Sequence, residues 1–477
     1  MEMNLLLAVP EFIVLGTAFI ILVMEFFMTG GSRKVSAVIG IIGSVAAAVS
    51  LINMPVGRAL GGLYIQDQLA IFFKWLFLFV TIFVLYITMV YEHKIERWKG
   101  EFYSLVMFGL SGMMFMASSA DFISFYVSLE LVAVCLYVLA AFNTGNRLSV
   151  EAGLKYLVTG ALASGFLVYG ISFIYGATGS TGFTDIAVAL MGGDTSIYLM
   201  IGLAITVLGL TFKVSSVPFH VWSPDVYQGS PTPVAAFLAS ASKAAGFVVI
   251  IRIMLSALAG VKGEWVMLVS LISGASLIFG NLAAMPQKDI KRLIGYAGIG
   301  SAGYLLMAVA AASELGTGAI MFYMVAYSIG ILGSFLAIVI FNNSDGSDLI
   351  ESYAGLSRRS PLLAISLFIG LLSLAGFPPL GGFIAKFYIF AAAVKEGLWA
   401  LAVIGVIMAI VSMYYFLLVV KSMYLRPPKN TDPIKVDCVS TVVLYIANIA
   451  TLALGIYPGP LTDWVMNIAK LFFKSTI

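Results

Sequence analysis

Runs of about twenty apolar residues follow one another almost without a break from Leu5 to Tyr457, and this leaves few folds open. In water such runs would expose far too much apolar surface. In a bilayer each is long enough to cross as a helix that satisfies its own backbone hydrogen bonds. The 477 residues are 61% hydrophobic and only 10% charged. The mean hydropathy of +1.04 has no counterpart among soluble domains. The runs lack the period-two alternation of a membrane β-barrel. An all-α polytopic membrane protein is therefore expected.

Fourteen spans are expected, at 4–28, 35–53, 67–90, 102–120, 121–142, 152–176, 196–226, 231–258, 264–285, 289–312, 315–341, 360–395, 398–424 and 436–457. The loops are short, and no segment could form a soluble domain, so 1–477 is read as a single transmembrane domain. The N-terminus has no basic region ahead of its apolar run and is read as a true first span. Loops after the odd-numbered spans hold fourteen basic residues: Arg33, Lys34, Lys94, Arg97, Lys99, Arg147, Lys288, Lys291, Arg292, Arg358, Arg359, Arg426, Lys429 and Lys435. The opposite side holds five: Arg58, Lys262, Lys395, Lys470 and Lys474. The positive-inside rule then puts both termini on the non-cytoplasmic side of the cell membrane.

Two spans are overlong and carry breakers. Span 7 contains Pro218, and span 12 contains Gly376-Phe377-Pro378-Pro379-Leu380-Gly381-Gly382. A proline within a helix removes a donor and frees the carbonyl four residues back, here Val214, Leu374 and Ala375. Paired discontinuous helices suggest repeated halves with a site at each break. Spans 4–8 (102–258) and 9–13 (264–424) are the expected repeats, and five spans per unit force opposite insertion, hence inverted symmetry.

Charges inside the spans define the candidate site. A cation at membrane depth costs roughly 2.5–3.5 kcal/mol on insertion scales, so it is retained for function by default. Lys213 lies five residues before Pro218. Lys243 sits near the middle of span 8 among Ala, Ser and Gly, where water or another helix can come close, and Lys386 follows the second break. Glu130 is the central acid of span 5 and needs a cationic partner, for which Lys213 is chosen. His220 suits a proton relay by its ordinary pKa, or packs as a core residue. Lys155 is a secondary relay candidate, or half of an interfacial pair with Glu151. Lys74, Arg252 and Lys421 are read as anchors near span ends. Basic groups on several spans without matching acids favour protons over metal cations as cargo. With two cysteines, two histidines and no glycine-rich phosphate loop, neither a metal centre nor a nucleotide site is expected.

The stretch Phe-Lys-Val-Ser-Ser-Val-Pro-Phe-His-Val-Trp-Ser-Pro-Asp-Val-Tyr-Gln-Gly-Ser-Pro-Thr-Pro-Val, followed by Ala-Ser-Lys-Ala-Ala-Gly-Phe, resembles the antiporter-like subunit N of complex I (NDH-1), the homologue of mitochondrial subunit 2. Asp-Ile-Lys-Arg-Leu-Ile-Gly-Tyr from Asp289 and the motif around Pro378-Pro379 extend the likeness over nearly the whole chain. The resemblance implies fourteen helices with two inverted five-helix repeats and discontinuous helices 7 and 12. It implies a Glu130–Lys213 pair, which spacing alone cannot show across 83 positions. It implies proton transfer by Lys243, by Lys386 toward the exit side, and by Lys155 and His220 in lesser roles. It also implies no redox cofactor in this chain. Iron–sulfur clusters, flavin and a quinone or phenazine acceptor would sit in partner subunits, with other antiporter-like subunits beside it in the membrane arm. The compact loops lean toward an archaeal deazaflavin-linked complex. The alternative is a subunit of a Mrp-type cation/proton antiporter, although relatives of that type tend to carry histidine where Lys243 stands.

Overall fold

The computed structural model describes residues 4–27, 33–95, 99–191, 196–428 and 430–476. Arg97 and Lys429, both counted among the loop charges, lie outside them. The helices are α1 Val9–Phe27, α2 Lys34–Leu51, α3 Gln68–Tyr91, α4 Lys99–Ala117, α5 Phe122–Ala140, α6 Arg147–Thr178, α7 Phe183–Leu190, α8 Ile197–Lys213, α9 Trp222–Gly229 and α10 Thr232–Phe237. They continue as α11 Lys243–Arg252, α12 Lys262–Ala284, α13 Ile290–Ala310, α14 Glu314–Asp345, α15 Leu356–Arg359, α16 Pro361–Ala375, α17 Gly381–Lys395, α18 Trp399–Leu425, α19 Cys438–Ile456 and α20 Gly459–Thr476.

Apolar runs set the helix bodies, and short polar residues set their ends. Asp67 accepts from Ala70 N (2.8 Å), Asp289 from Arg292 N (3.0 Å) and Asp437 from Ser440 N (2.9 Å), each satisfying a donor left open in the first turn. Gly179, Gly346 and Gly376 close α6, α14 and α16 in the left-handed conformation.

Twelve described helical segments are long and apolar enough to cross a membrane. The two expected spans missing from the twelve are those carrying breakers, and each begins as a shorter apolar helix, α8 or α16. The helix from Thr232 to Ala257 is buried along its full apolar window, whereas α6 and α18 are only 28% buried and turn most of their surface outward.

The chain forms two compact units. One comprises Met1–Trp222, Gly229–Val269 and Ile468–Ile477; the other comprises Ser223–Gln228 and Ser270–Asn467. In the first, α6 packs along α8, and α1 along α4. In the second, α14 packs against α16 and α17, the two halves of the broken span.

Besides the short α15, a hairpin and the helices α7 and α20 lie outside the expected spans. Gly57–Ala59 (β1) and Tyr64–Gln66 (β2) pair as an antiparallel hairpin between α2 and α3. Helix α7, of 8 residues, and helix α20, of 18, are amphipathic. In α20, Val465, Ile468, Ala469 and Phe472 are buried at helical spacing while Trp464 and Leu471 face outward. Its polar residues keep it below the hydropathy of a span, so only the helical period could have marked it.

Candidate functional site

The first break begins where α8 ends, at Lys213 itself. Phe212 O and Thr211 O accept from Ser215 N (3.0 Å) and Ser216 N (2.9 Å), so the interrupted backbone satisfies these carbonyls locally. The chain then runs through Pro218 and His220 to α9. Lys213 is buried, and among the described residues its Nζ has no hydrogen-bond partner.

A cavity of about 20 Å³, enough for about one water, joins Lys213 to Glu130, Ser164, Tyr137 and Tyr156. Among the described residues the Glu130 carboxylate makes no ion pair with Lys213. Its Oε1 accepts a hydrogen bond from Ser164 Oγ, and that hydroxyl is 3.0 Å from Tyr126 OH. The two expected partners therefore share one cavity, with no ion pair between them among the described residues. A proton passing between them needs an intermediary, and the cavity has room for one. The wall is aromatic: Tyr156 stacks on Trp222 (4.3 Å between ring centroids), with Tyr137 edge-on at 4.8 Å. Ser164 and these rings went unnoticed in the sequence. Serine and tyrosine hydroxyls inside apolar spans were the available signal.

Lys243 is buried at the first position of α11, directly after a π-helical turn, Leu238–Ser242. Such turns recur at functional positions because they free local backbone groups. Gly246, one turn later, lets α11 approach the end of α8. A Cβ there would lie 2.7 Å from Val214 Cγ1 and 3.1 Å from Lys213 Cγ. Gly246→Ala is expected to destabilise the protein by about 1–3 kcal/mol through overpacking. A lowered thermal-inactivation midpoint of the assembled complex would report it, and an unchanged midpoint would contradict the close fit.

In the second unit, the carbonyl freed by Pro379 is that of Ala375. The lysine takes it: Lys386 Nζ donates to Ala375 O at 2.7 Å, and Ser412 Oγ reaches the same oxygen at 3.4 Å. Lys386 Nζ also lies 4.5 Å from the ring centroid of Tyr304, a cation–π distance. The surrounding cavity, about 10 Å³, is lined by Asn281, Ser301, Tyr304, Tyr327, Ser412 and Tyr415 among others. Gly376 holds φ +86°, and a Cβ there would fall 2.8 Å from Lys386 Cδ. Gly376→Ala should therefore cost about 1–2 kcal/mol in backbone strain alone and displace the lysine. Retained thermal stability together with unaltered proton transport would refute both parts.

The remaining candidates divide. His220 is buried in the break but is not among the residues lining the Lys213 cavity. Lys155 is exposed and forms an i,i+4 pair with Glu151 at 2.8 Å, the interfacial arrangement. Lys421 is exposed.

Lys74 and Arg252 are not anchors. Lys74 is fully buried and meets the equally buried Glu11 at 2.6 Å, and its Nζ also donates to Tyr64 OH (2.7 Å) and to Gln66 Oε1. Arg252 grips Asp67 through both terminal nitrogens (2.9 and 2.7 Å) and donates from Nε to Ala117 O at 2.7 Å. Position near a span end suggested snorkelling, but the hairpin folds over that end and seals it.

Residues 119–412 match the family model described as NADH:quinone oxidoreductase/Mrp antiporter, transmembrane. The NADH-quinone oxidoreductase subunit N of Moorella thermoacetica is 42% identical over 438 residues, 92% of each chain. That of Desulforamulus reducens is 40% identical over 475 residues, 99% of each. The chain belongs to the subunit N family. Its fold agrees with that membership. A chain of respiratory complex I from Thermus thermophilus superimposes with a TM-score of 0.81 at 30% identity, covering 95% of this chain and 98% of that one. A chain of the Mrp complex from Dietzia sp. reaches 0.83 at 20% identity, covering 99% and 97%, which shows the shared fold alone.

Proposed function

We propose that this chain is the proton-carrying, antiporter-like subunit N of a complex I-type NADH-quinone oxidoreductase. The observation that carries the reading is Lys213, an ammonium buried at a helix break in one cavity with a carboxylate and two tyrosines. Lys243 and Lys386, each buried where the helix is irregular or broken, extend it. In this reading the chain takes up, holds and releases protons on Glu130, Lys213, Lys243 and Lys386. His220 is a secondary relay, and the exposed Lys155 lies at the periphery. Electron carriers, flavin, iron–sulfur clusters and the quinone-type acceptor belong to other subunits. Other membrane-arm subunits, further antiporter-like ones included, are its partners. The two breaks support inverted repeats at 102–258 and 264–424. The excess of basic residues in one set of loops supports termini on the non-cytoplasmic side. The named relatives support an NADH donor over the deazaflavin donor that compact loops suggested.

The test is proton translocation by the assembled complex in inside-out vesicles carrying Glu130→Gln or Ser164→Ala. Glu130→Gln should strongly depress proton uptake driven by electron transfer. Ser164→Ala, which removes only the hydroxyl holding the carboxylate, should have a smaller effect. Wild-type uptake by an assembled Glu130→Gln complex would overturn the reading. An Mrp-type role would show instead as sodium-dependent exchange without electron transfer.

A further inference from the structure

Tyr415 is the one residue, among those described, that lines both the closed Lys386 cavity and an open vestibule of about 430 Å³ in the same unit. The vestibule is formed by the α12–α13 connection, the segment around Ile350 and the end of α18. It carries Lys288, Glu351, Lys421 and Arg426. Lys288 and Arg426 belong to the basic-rich loops, so the vestibule opens on the side read as cytoplasmic. Its floor is tight. Tyr415 is 1% exposed, and its hydroxyl donates to Asn281 Oδ1 at 3.1 Å, while Asn281 Nδ2 donates to Leu277 O at 2.8 Å. Below that bond lie Ser412 and Lys386, which share the Ala375 carbonyl.

We propose that Tyr415 and Asn281 form a gate through which water from this polar vestibule reaches Lys386. This rests on the proton-carrying reading above and adds to it a route of access. The family resemblance puts Lys386 toward the exit side; the vestibule gives it an approach from the opposite face. When the tyrosine swings off Asn281, vestibule water joins the cavity, and a hydronium gives its proton to the Lys386 amine, forming the ammonium and leaving water. When the bond closes, the charge is sealed below the ring.

The experiment uses the assembled complex in vesicles of either orientation, with exposed Cys438 changed to Ser and Ser412→Cys placed in the cavity. A membrane-impermeant sulfonated methanethiosulfonate is added, and modification is read by mass. Ser412→Cys should react slowly from the basic-loop face, and adding Tyr415→Ala should raise that rate roughly tenfold, as expected when a bond holding a gate shut is lost. Leu418→Cys, on the vestibule wall, should react promptly from that face with either residue at 415. Reaction only from the opposite face, or a rate unmoved by Tyr415→Ala, would overturn the gate. Should Ser412→Cys prevent assembly, Ala297→Cys on the same cavity wall carries the same expectations. Labelling needs no pumping, so a failed gate is distinguishable from a failed proton-carrying reading.

Discussion

Replacing Lys213 with alanine should lower proton-coupled turnover about 100-fold, the scale on which a positioned proton-transfer group acts, while the complex still assembles. The side chain is buried beside a cavity and, among the described residues, makes no hydrogen bond that folding would lose. What disappears is the one cation in that cavity. Lys155→Ala is the contrast. Its exposed pair with Glu151 is worth only about 0.3–0.5 kcal/mol, so turnover and stability should barely change. Proton uptake by inside-out vesicles, normalised to assembled complex, measures both variants. Equal effects at the two positions would mean that burial does not mark the working lysines.

Lys74→Met should destabilise the protein by about 3–5 kcal/mol, because it strands the Glu11 carboxylate in a sealed interior. The double variant Glu11→Gln/Lys74→Met should recover most of that loss, since neither group is then an uncompensated buried charge. Thermal inactivation of the complex across the wild type, both single variants and the double variant gives the coupling directly. Additive losses would show that the two groups do not act as a pair. If the pair mainly locks the β1–β2 hairpin over α1 and α3, proton uptake per surviving complex should stay near wild type.

Much of the architecture was legible because a bilayer admits few ways to satisfy a backbone. Apolar runs gave the spans, and prolines gave the interruptions at α8 and α16. The lysines at those interruptions stood out because charge in hydrocarbon needs a reason. What stayed hidden depends on distance between segments. The sequence proposes Lys213 for Glu130, but only the fold shows Ser164, beside the Tyr126 hydroxyl, taking the carboxylate. Lys74 near a span end reads as snorkelling until the hairpin is seen to close over it. The carbonyl freed by Pro379 reads as a place for water, yet Lys386 itself fills that role. Helix α7 escaped because eight residues are too few for a span, and α20 because its polarity is mixed and only a helical stripe betrays it.

The central claim is that the buried lysines are wetted from within and exchange protons through water. A high-resolution density map of the assembled complex tests it most directly. Ordered water should lie within hydrogen-bond reach of Lys213 Nζ and bridge toward Glu130 or Ser164, with further water beside Lys386. A dry, sealed pocket around Lys213 in every state of the working complex would contradict the account.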